Sequence, residues 1–315
     1  MSDRDNFSSE FEKLRASKFK QQKLPAWRPV PTITSTTLTF LFFGLAFITI
    51  GIIVLVFSND IYENSLRYDE MPSCKLGSTC NVTINVEQDM KLPVMVYYQL
   101  NNFYQNHRRY VKSKSNDQLL GKEVTLSTLQ DECSPIIYMK DIGIYKSLDG
   151  TVLSPDTIAN PCGLIAKSFF NDTYKFVDEG LNIDETGIAW QADIDLKYAH
   201  PPNYEKIQWL NTTDEHFMVW MRPAGLPNFR KLWGRIKTYK SGDTLPKGNY
   251  TLEINNIYPV SEFKGEKYFV ISTVNSFGGK NSFLGIAYIV VGGLCIVMAI
   301  VFFIGYKIHN KKKDN

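Results

Sequence analysis

Four cysteines, Cys74, Cys80, Cys133 and Cys162, hold the most accessible chemistry in this 315-residue chain. Thiols pair as disulfides in an oxidising compartment or ligate zinc in a reducing one. Zinc sites favour closely spaced pairs, and no Cys-x-x-Cys occurs here. Four thiols allow three pairings. Proximity favours Cys74 with Cys80, clipping a tight loop, and Cys133 with Cys162, whose closure is worth about 3–4 kcal/mol in the chain-entropy model. Cys295 lies in an apolar run and behaves as a small apolar side chain. Catalytic signatures are missing: there is no Gly-x-Ser-x-Gly elbow, His-Glu-x-x-His helix, Walker A loop or dinucleotide fingerprint. His107, His200, His216 and His309 suggest neither a triad nor a metal set. The acidic doublets Asp131-Glu132, Asp178-Glu179 and Asp184-Glu185 could suggest a glycosidase pair, but sequence neighbours seldom face each other, and solvated loop charge accounts for them. No catalytic residue, metal ligand or cofactor is assigned.

What must position these cysteines is a chain with two membrane spans. Residues 37–57 and 283–306 contain no charged residue or histidine. Twenty-one residues make roughly 31 Å of helix, the thickness of a hydrocarbon core. The mean hydropathy of −0.19 conceals both segments by averaging them with a polar remainder. The first begins too deep and runs too long for a cleaved signal peptide, which favours a signal anchor. The expected organisation is a tail at 1–35, a span at 36–57, a domain at 58–282, a second span at 283–306 and a basic tail at 307–315. The two tails hold eleven Lys and Arg against five acids, a net +6, while the remainder is −3. By the positive-inside rule both termini face the cytosol and residues 58–282 form one exoplasmic domain. The four cysteines therefore sit in an oxidising compartment. Asn81, Asn171, Asn211 and Asn249 head Asn-x-Thr acceptor motifs there, whereas Asn6 is cytosolic and stays bare.

Spans without ionisable groups argue against a self-sufficient pump or proton-coupled carrier. Small residues recur every seven positions instead: Gly44 and Gly51 in the first span, Gly285, Gly292 and Ala299 in the second. That step returns to nearly the same helix face and leaves a groove for another helix. Ordinary glycine usage in membrane helices competes with this view. Between the spans, period-2 alternation predicts strands in CNVTINVEQ, PVMVYYQL, GIAWQADIDLKYA, HFMVWMR, NYTLEIN and KYFVISTV. Phe229, Leu232, Trp233 and Ile236 recur at helical spacing after Pro227, which predicts a short amphipathic helix. The expected fold is mainly β: an antiparallel β-sandwich-like exoplasmic domain with short helices, anchored by two transmembrane α-helices. The basic run from His107 to Lys112 could suggest nucleic-acid binding. An exoplasmic, net acidic domain speaks against nucleic acid and for a polar rim or contact with a partner's acidic loop.

Seven segments in order carry a family resemblance: FKQQKLPAWRP, YYQLNNFYQNHRRYVKS, NPCGLIAKSFFNDT, GIAW, FMVWMRPAGLPNFRKLW, LPKGNY and FGGKNSFLGIAYIVVGG. From about Phe19 to Gly293 the chain resembles the cell-division-cycle-fifty/ligand-effect-modulator family, accessory β-subunits of type IV P-type ATPase lipid flippases. An additional Cys pair of some members is absent, and the interval from Cys133 to Cys162 is longer than in animal members. The resemblance implies a non-catalytic subunit that binds a ten-span flippase. It further implies escort from the endoplasmic reticulum, support of the phosphorylation cycle, and residence in the endoplasmic reticulum, Golgi or endosomes, and plasma membrane. In FKQQKLPAWRP it implies partner contact through Phe19, Lys20, Gln21, Gln22, Leu24, Pro25, Trp27 and Pro29, with prolines limiting the ordering cost. Gly285 and Gly292 are expected to take a partner helix. Anchoring of Trp27 among lipid headgroups, with Lys20, Lys23 and Arg28 on anionic phospholipid, is compatible with that contact. A two-span ligand-gated channel subunit and a tethered hydrolase are the competing classes. The channel would need polar pore-lining positions, and the hydrolase a pocket of converging titratable groups.

Overall fold

The computed structural model describes residues 15–23, 31–238 and 244–313. It divides into two units, one holding the long helices and the other residues 56–282. Ile33–Asn59 forms the first long helix and Ser282–Lys313 the second. Both overrun the expected spans. Thr32 starts the first by accepting the Ser35 N–H, and Thr37, Thr39 and Thr49 return their hydroxyls to carbonyls four residues back at 2.8–2.9 Å. Such back-bonding satisfies these three hydroxyls within the helix itself.

The glycine stripes face each other. A Cβ on Gly44 would stand 2.7 Å from Ile296 Cδ1 and 3.1 Å from the Gly292 carbonyl, and one on Gly285 would stand 3.1 Å from the Gly51 carbonyl. Gly44 thus opposes Gly292 and Gly51 opposes Gly285, an antiparallel pairing. Phe40 against Phe302 and Phe47 against Tyr288 flank it at 5.7 and 5.8 Å. The groove expected to take a partner helix is filled by this chain's own second span, which corrects the expectation for Gly285 and Gly292. Gly292→Leu should therefore force the spans apart at about 1–3 kcal/mol of overpacking. With cysteines introduced at Phe40 and Phe302 in a Cys295→Ser background, cross-linking in membranes should fall about fivefold or more. Undiminished cross-linking would show that the pair tolerates the bulk.

Among the described residues ten strands build the domain: β1 Glu63–Arg67, β2 Ser78–Val86, β3 Met90–Lys91, β4 Val94–Asn101, β5 Thr173–Phe176, β6 Leu181–Asp184, β7 Phe229–Thr238, β8 Thr244–Leu245, β9 Gly248–Asn256 and β10 Glu266–Ser272. They form a five-stranded sheet in the order β1-β10-β4-β7-β6, a three-stranded sheet β2-β9-β5 and a small β3-β8 ribbon, antiparallel throughout. Inward residues of both main sheets share one core. Val82, Ile84, Leu252 and Ile254 meet Val96, Tyr98, Leu100 and Phe269 there, with Tyr98 stacked on Phe170 at 4.0 Å. This is the expected sandwich.

The local assignment departs from expectation in three segments. Phe229–Thr238 is a strand, not a helix. Its register against β4 slips between Val96 and Tyr97, where Val96 opposes Gly234 and Tyr97 opposes Leu232. Phe229, Lys231 and Trp233 point inward, and beyond the bulge Ile236 does so again. One extra residue turned a period of two into spacing that mimics a helix. The HFMVWMR segment is a helix, Glu215–Met221, because Asp214 accepts the His216 N–H at 2.9 Å and caps it. Its buried residues, Phe217, Met218, Trp220 and Met221, follow helical spacing. The GIAWQADIDLKYA segment holds the helix Gln191–Leu196, in which Asp193 is buried while Trp190 and Leu196 are exposed. Six residues are too few to separate the two periods.

Between β4 and β5 the chain makes a helical insert with its own small core. Leu129, Ile136, Met139, Ile142 and Leu153 surround Cys133 and Cys162. These cysteines are bonded to each other across a separation of 29, and Cys74 is bonded to Cys80 across a separation of 6. A cluster this small benefits from a covalent brace.

Candidate interaction surfaces

Side chains converge most densely inside the domain. Lys267 on β10 is fully buried, and its ammonium donates to Asp172 Oδ2 at 2.6 Å, to the Tyr258 carbonyl at 2.6 Å and to Asn256 Oδ1. Asp172 also accepts the Tyr68 hydroxyl at 2.6 Å and the N–H groups of Ile257 and Tyr258. Burial pushes the Lys267 ammonium down, and Asp172 opposes that shift. The arrangement ties the residues before β5, the turn after β9 and the end of β1 to one point. Every donor and acceptor named is used inside the protein, so the cluster is a clasp rather than a site open to a substrate. Lys231 is a second buried cation, donating to the carbonyls of Val219, Trp220 and Arg222 and so capping the 215–221 helix. Burial holds it down to about 7.

The exterior offers two built surfaces. Across the five-stranded sheet Arg230 bonds Gln99 at 2.7 Å and reaches Glu63 with a bidentate pair at 2.6 and 2.8 Å. That strap crosses β4 and β10 and partly covers Tyr97, whose hydroxyl is pushed up by burial. Elsewhere Arg222 pairs with the buried Asp193 carboxylate and lies 5.0 Å over the exposed Trp190 ring. Near the end of the first span Phe277 packs on Phe57 at 5.2 Å, and Asn275 donates to the Phe57 carbonyl at 2.8 Å. That contact gives the FGGK segment its structural role.

The anticipated site residues are distributed as follows. Phe19 is 75% exposed, and Lys20, Gln21 and Gln22 are exposed around it. Leu24, Pro25, Trp27 and Pro29 lie outside the described residues. Asn81, Asn171, Asn211 and Asn249 are all exposed. Among the described residues no three His, Cys, Asp or Glu gather at metal-ligand spacing. The acidic doublets do not converge on a shared cleft: Asp184 pairs with Lys237, Glu185 with His216, and Asp178 accepts the Thr251 N–H. Sequence reasoning missed the Lys267–Asp172 clasp, although the alternation of KYFVIS places Lys267 on the face of Phe269 and Ile271. The Arg230–Glu63 strap joins residues 167 apart, and nothing local marks it.

A disulfide-braced β-sandwich flanked in sequence by two long apolar helices is the architecture of a two-pass membrane protein. The chain belongs to the LEM3 (ligand-effect modulator 3) family / CDC50 family, whose model matches residues 58–312. Cell cycle control protein 50A of Bos taurus is 36% identical over 93% of this chain and 89% of its own length. ALA-interacting subunit 3 of Arabidopsis thaliana is 38% identical over 94% and 87%. Cell cycle control protein 50B of Homo sapiens is 32% identical over 94% of each.

Proposed function

We propose that this chain is a non-catalytic accessory (β) subunit of a phospholipid flippase, a type IV P-type ATPase, and supports its folding, exit from the endoplasmic reticulum and lipid translocation. The observation that carries this reading is near full-length likeness to a plant protein named as an interacting subunit. The geometry is compatible with it. Paired spans that satisfy each other's glycines make a rigid two-helix unit with apolar outer faces for a helical bundle or lipid. The basic tails support cytosolic termini, and that orientation places residues 58–282 on the exoplasmic side. The disulfides and the buried clasp keep that domain stiff enough to cap a partner's short loops. Residence follows the ATPase, from the endoplasmic reticulum to Golgi, endosomes or plasma membrane.

The test is recovery of a P-type ATPase with the tagged full-length chain from its own membranes, followed by mass identification. Phe19→Ala with Trp27→Ala should lower that recovery about tenfold, as loss of two aromatic anchors does at interfaces. Unchanged recovery would reduce the segment to a lipid anchor. Lipid movement by the purified chain alone with ATP would refute the non-catalytic role.

A further inference from the structure

A cavity of about 540 Å³ is built wholly from the domain, largely out of residues that adjoin the two long helices in the chain. Asp60 and Tyr62 follow Asn59, the last residue of the first helix, and Thr273 and Asn275 precede Ser282, the first of the second. Asp89, in the turn between β2 and β3, and Lys91 on β3 close the third side. Asp60 is the first charged residue beyond the first span and Lys280 the last before the second, so this stretch lies at headgroup level. The walls are pinned by their own hydrogen bonds. The Tyr62 N–H donates to the Thr273 hydroxyl and the Thr273 N–H to the Tyr62 carbonyl, both at 3.0 Å. The Tyr62 hydroxyl accepts the Glu87 N–H at 3.0 Å, and Asp89 Oδ1 accepts the Lys247 N–H at 2.7 Å. Asn275, bonded to the Phe57 carbonyl, also accepts the Phe277 N–H at 2.9 Å. The charges, by contrast, are unspent. Among the described residues Asp60 and Lys91 make no ion pair or side-chain hydrogen bond, and Asp89 meets only that one N–H.

We propose that this cavity seats the headgroup of an ethanolamine phospholipid, its ammonium toward Asp60 and Asp89 and its phosphate toward Lys91. The charge types select that headgroup. A primary ammonium offers three N–H donors to carboxylate oxygens, whereas the trimethylammonium of choline offers none. Two aspartates against one lysine leave the walls at a net −1, which disfavours the additional carboxylate of a serine headgroup. Lys91 supplies the compact point charge that suits a phosphate. The volume falls within the roughly 300–1,000 Å³ of small-ligand sites, and only the headgroup needs room because the acyl chains stay in the bilayer. Free phosphoethanolamine carries the same two charges, but the adjoining span ends place the cavity where a lipid presents them. The inference needs the two spans and not the ATPase, so it stands apart from the function proposed above.

The experiment uses the full-length tagged chain, purified without a partner and exchanged into micelles carrying equal amounts of ethanolamine, choline and serine phospholipids with matched acyl chains. Retained lipid is counted by mass spectrometry. The ethanolamine lipid should be retained about fivefold over the other two. Asp60→Asn with Asp89→Asn should abolish that preference while leaving retention of the choline lipid unchanged, and Lys91→Gln should lower ethanolamine-lipid retention about threefold. Asp60 is exposed, so Asp60→Asn alone, which should lower the preference about twofold or more, tests the site even where Asp89→Asn disturbs the Lys247 contact. Equal retention of the three lipids, a serine preference, or an ethanolamine preference that survives Asp60→Asn unchanged would overturn the proposal. Displacement of the lipid by soluble phosphoethanolamine at the same concentration would overturn the lipid assignment and leave a soluble phosphoamine as the ligand.

Discussion

Lys267→Met should destabilise the domain by about 3–5 kcal/mol, because it leaves the Asp172 carboxylate buried with no countercharge. For a domain of this size the thermal midpoint should drop by roughly 10 °C, read by intrinsic fluorescence of the full-length chain in detergent. The magnitude follows from where the charge would be left. Asp172 is fully buried, and its remaining partners are the Tyr68 hydroxyl and two backbone N–H groups. They stabilise the carboxylate but cannot neutralise it. Removing the other charge as well, as Asp172→Asn with Lys267→Met, should cost clearly less than the two single changes added together. The asparagine preserves the hydrogen-bond shape and the Asn171 acceptor motif. Additive costs, or a Lys267→Met effect within the 0.5 kcal/mol or so of an ordinary surface change, would mean that the pair is not coupled.

That clasp also shows what a sequence displays and what it hides. Strands β2, β4, β9 and β10 alternate cleanly, and their alternation is what makes them legible. Lys267 sits on the inward phase of β10, so its burial was encoded, but its partner Asp172 is 95 residues away in a turn before β5. Pairings of that range depend on topology, which alternation does not supply. β7 failed for a different reason: the bulge opposite Val96 and Tyr97 shifted its phase by one residue midway. The helix at Glu215–Met221 failed for a third. Its seven residues are nearly all apolar, so the start signal at Asp214 outweighs periodicity. The spans were legible from hydropathy alone. Their mutual packing was half legible, since Gly44 and Gly51 have the same spacing as Gly285 and Gly292. A small-residue stripe identifies a groove but not its occupant, and here the occupant is the chain itself.

Cys133→Ser should unfasten the helical insert and, on the proposed function, hold the flippase complex in the endoplasmic reticulum. Closing a loop of this separation is worth about 3–4 kcal/mol in the chain-entropy model, against about 2 kcal/mol for the short Cys74–Cys80 loop. The stronger brace thus holds the smaller structure. The cluster around Cys133 and Cys162 contains Leu129, Ile136, Met139, Ile142, Leu153 and Ala159, a fraction of the main sandwich core. It can therefore open locally while the sheets stay folded. The expected signature is at least tenfold faster proteolysis between Cys133 and Cys162 with the sandwich intact, and failure of the complex to gain mature glycans. Cys162→Ser should match it, since either change breaks the same bond. Cys74→Ser should be milder: its loop is pinned independently by Asn256, which donates to the Cys74 carbonyl at 2.8 Å, and by the β2–β9 ladder that begins at Ser78. Equal retention in Cys74→Ser and Cys133→Ser would show that quality control senses either lost disulfide, and normal delivery in Cys133→Ser would show that the insert does not need its brace.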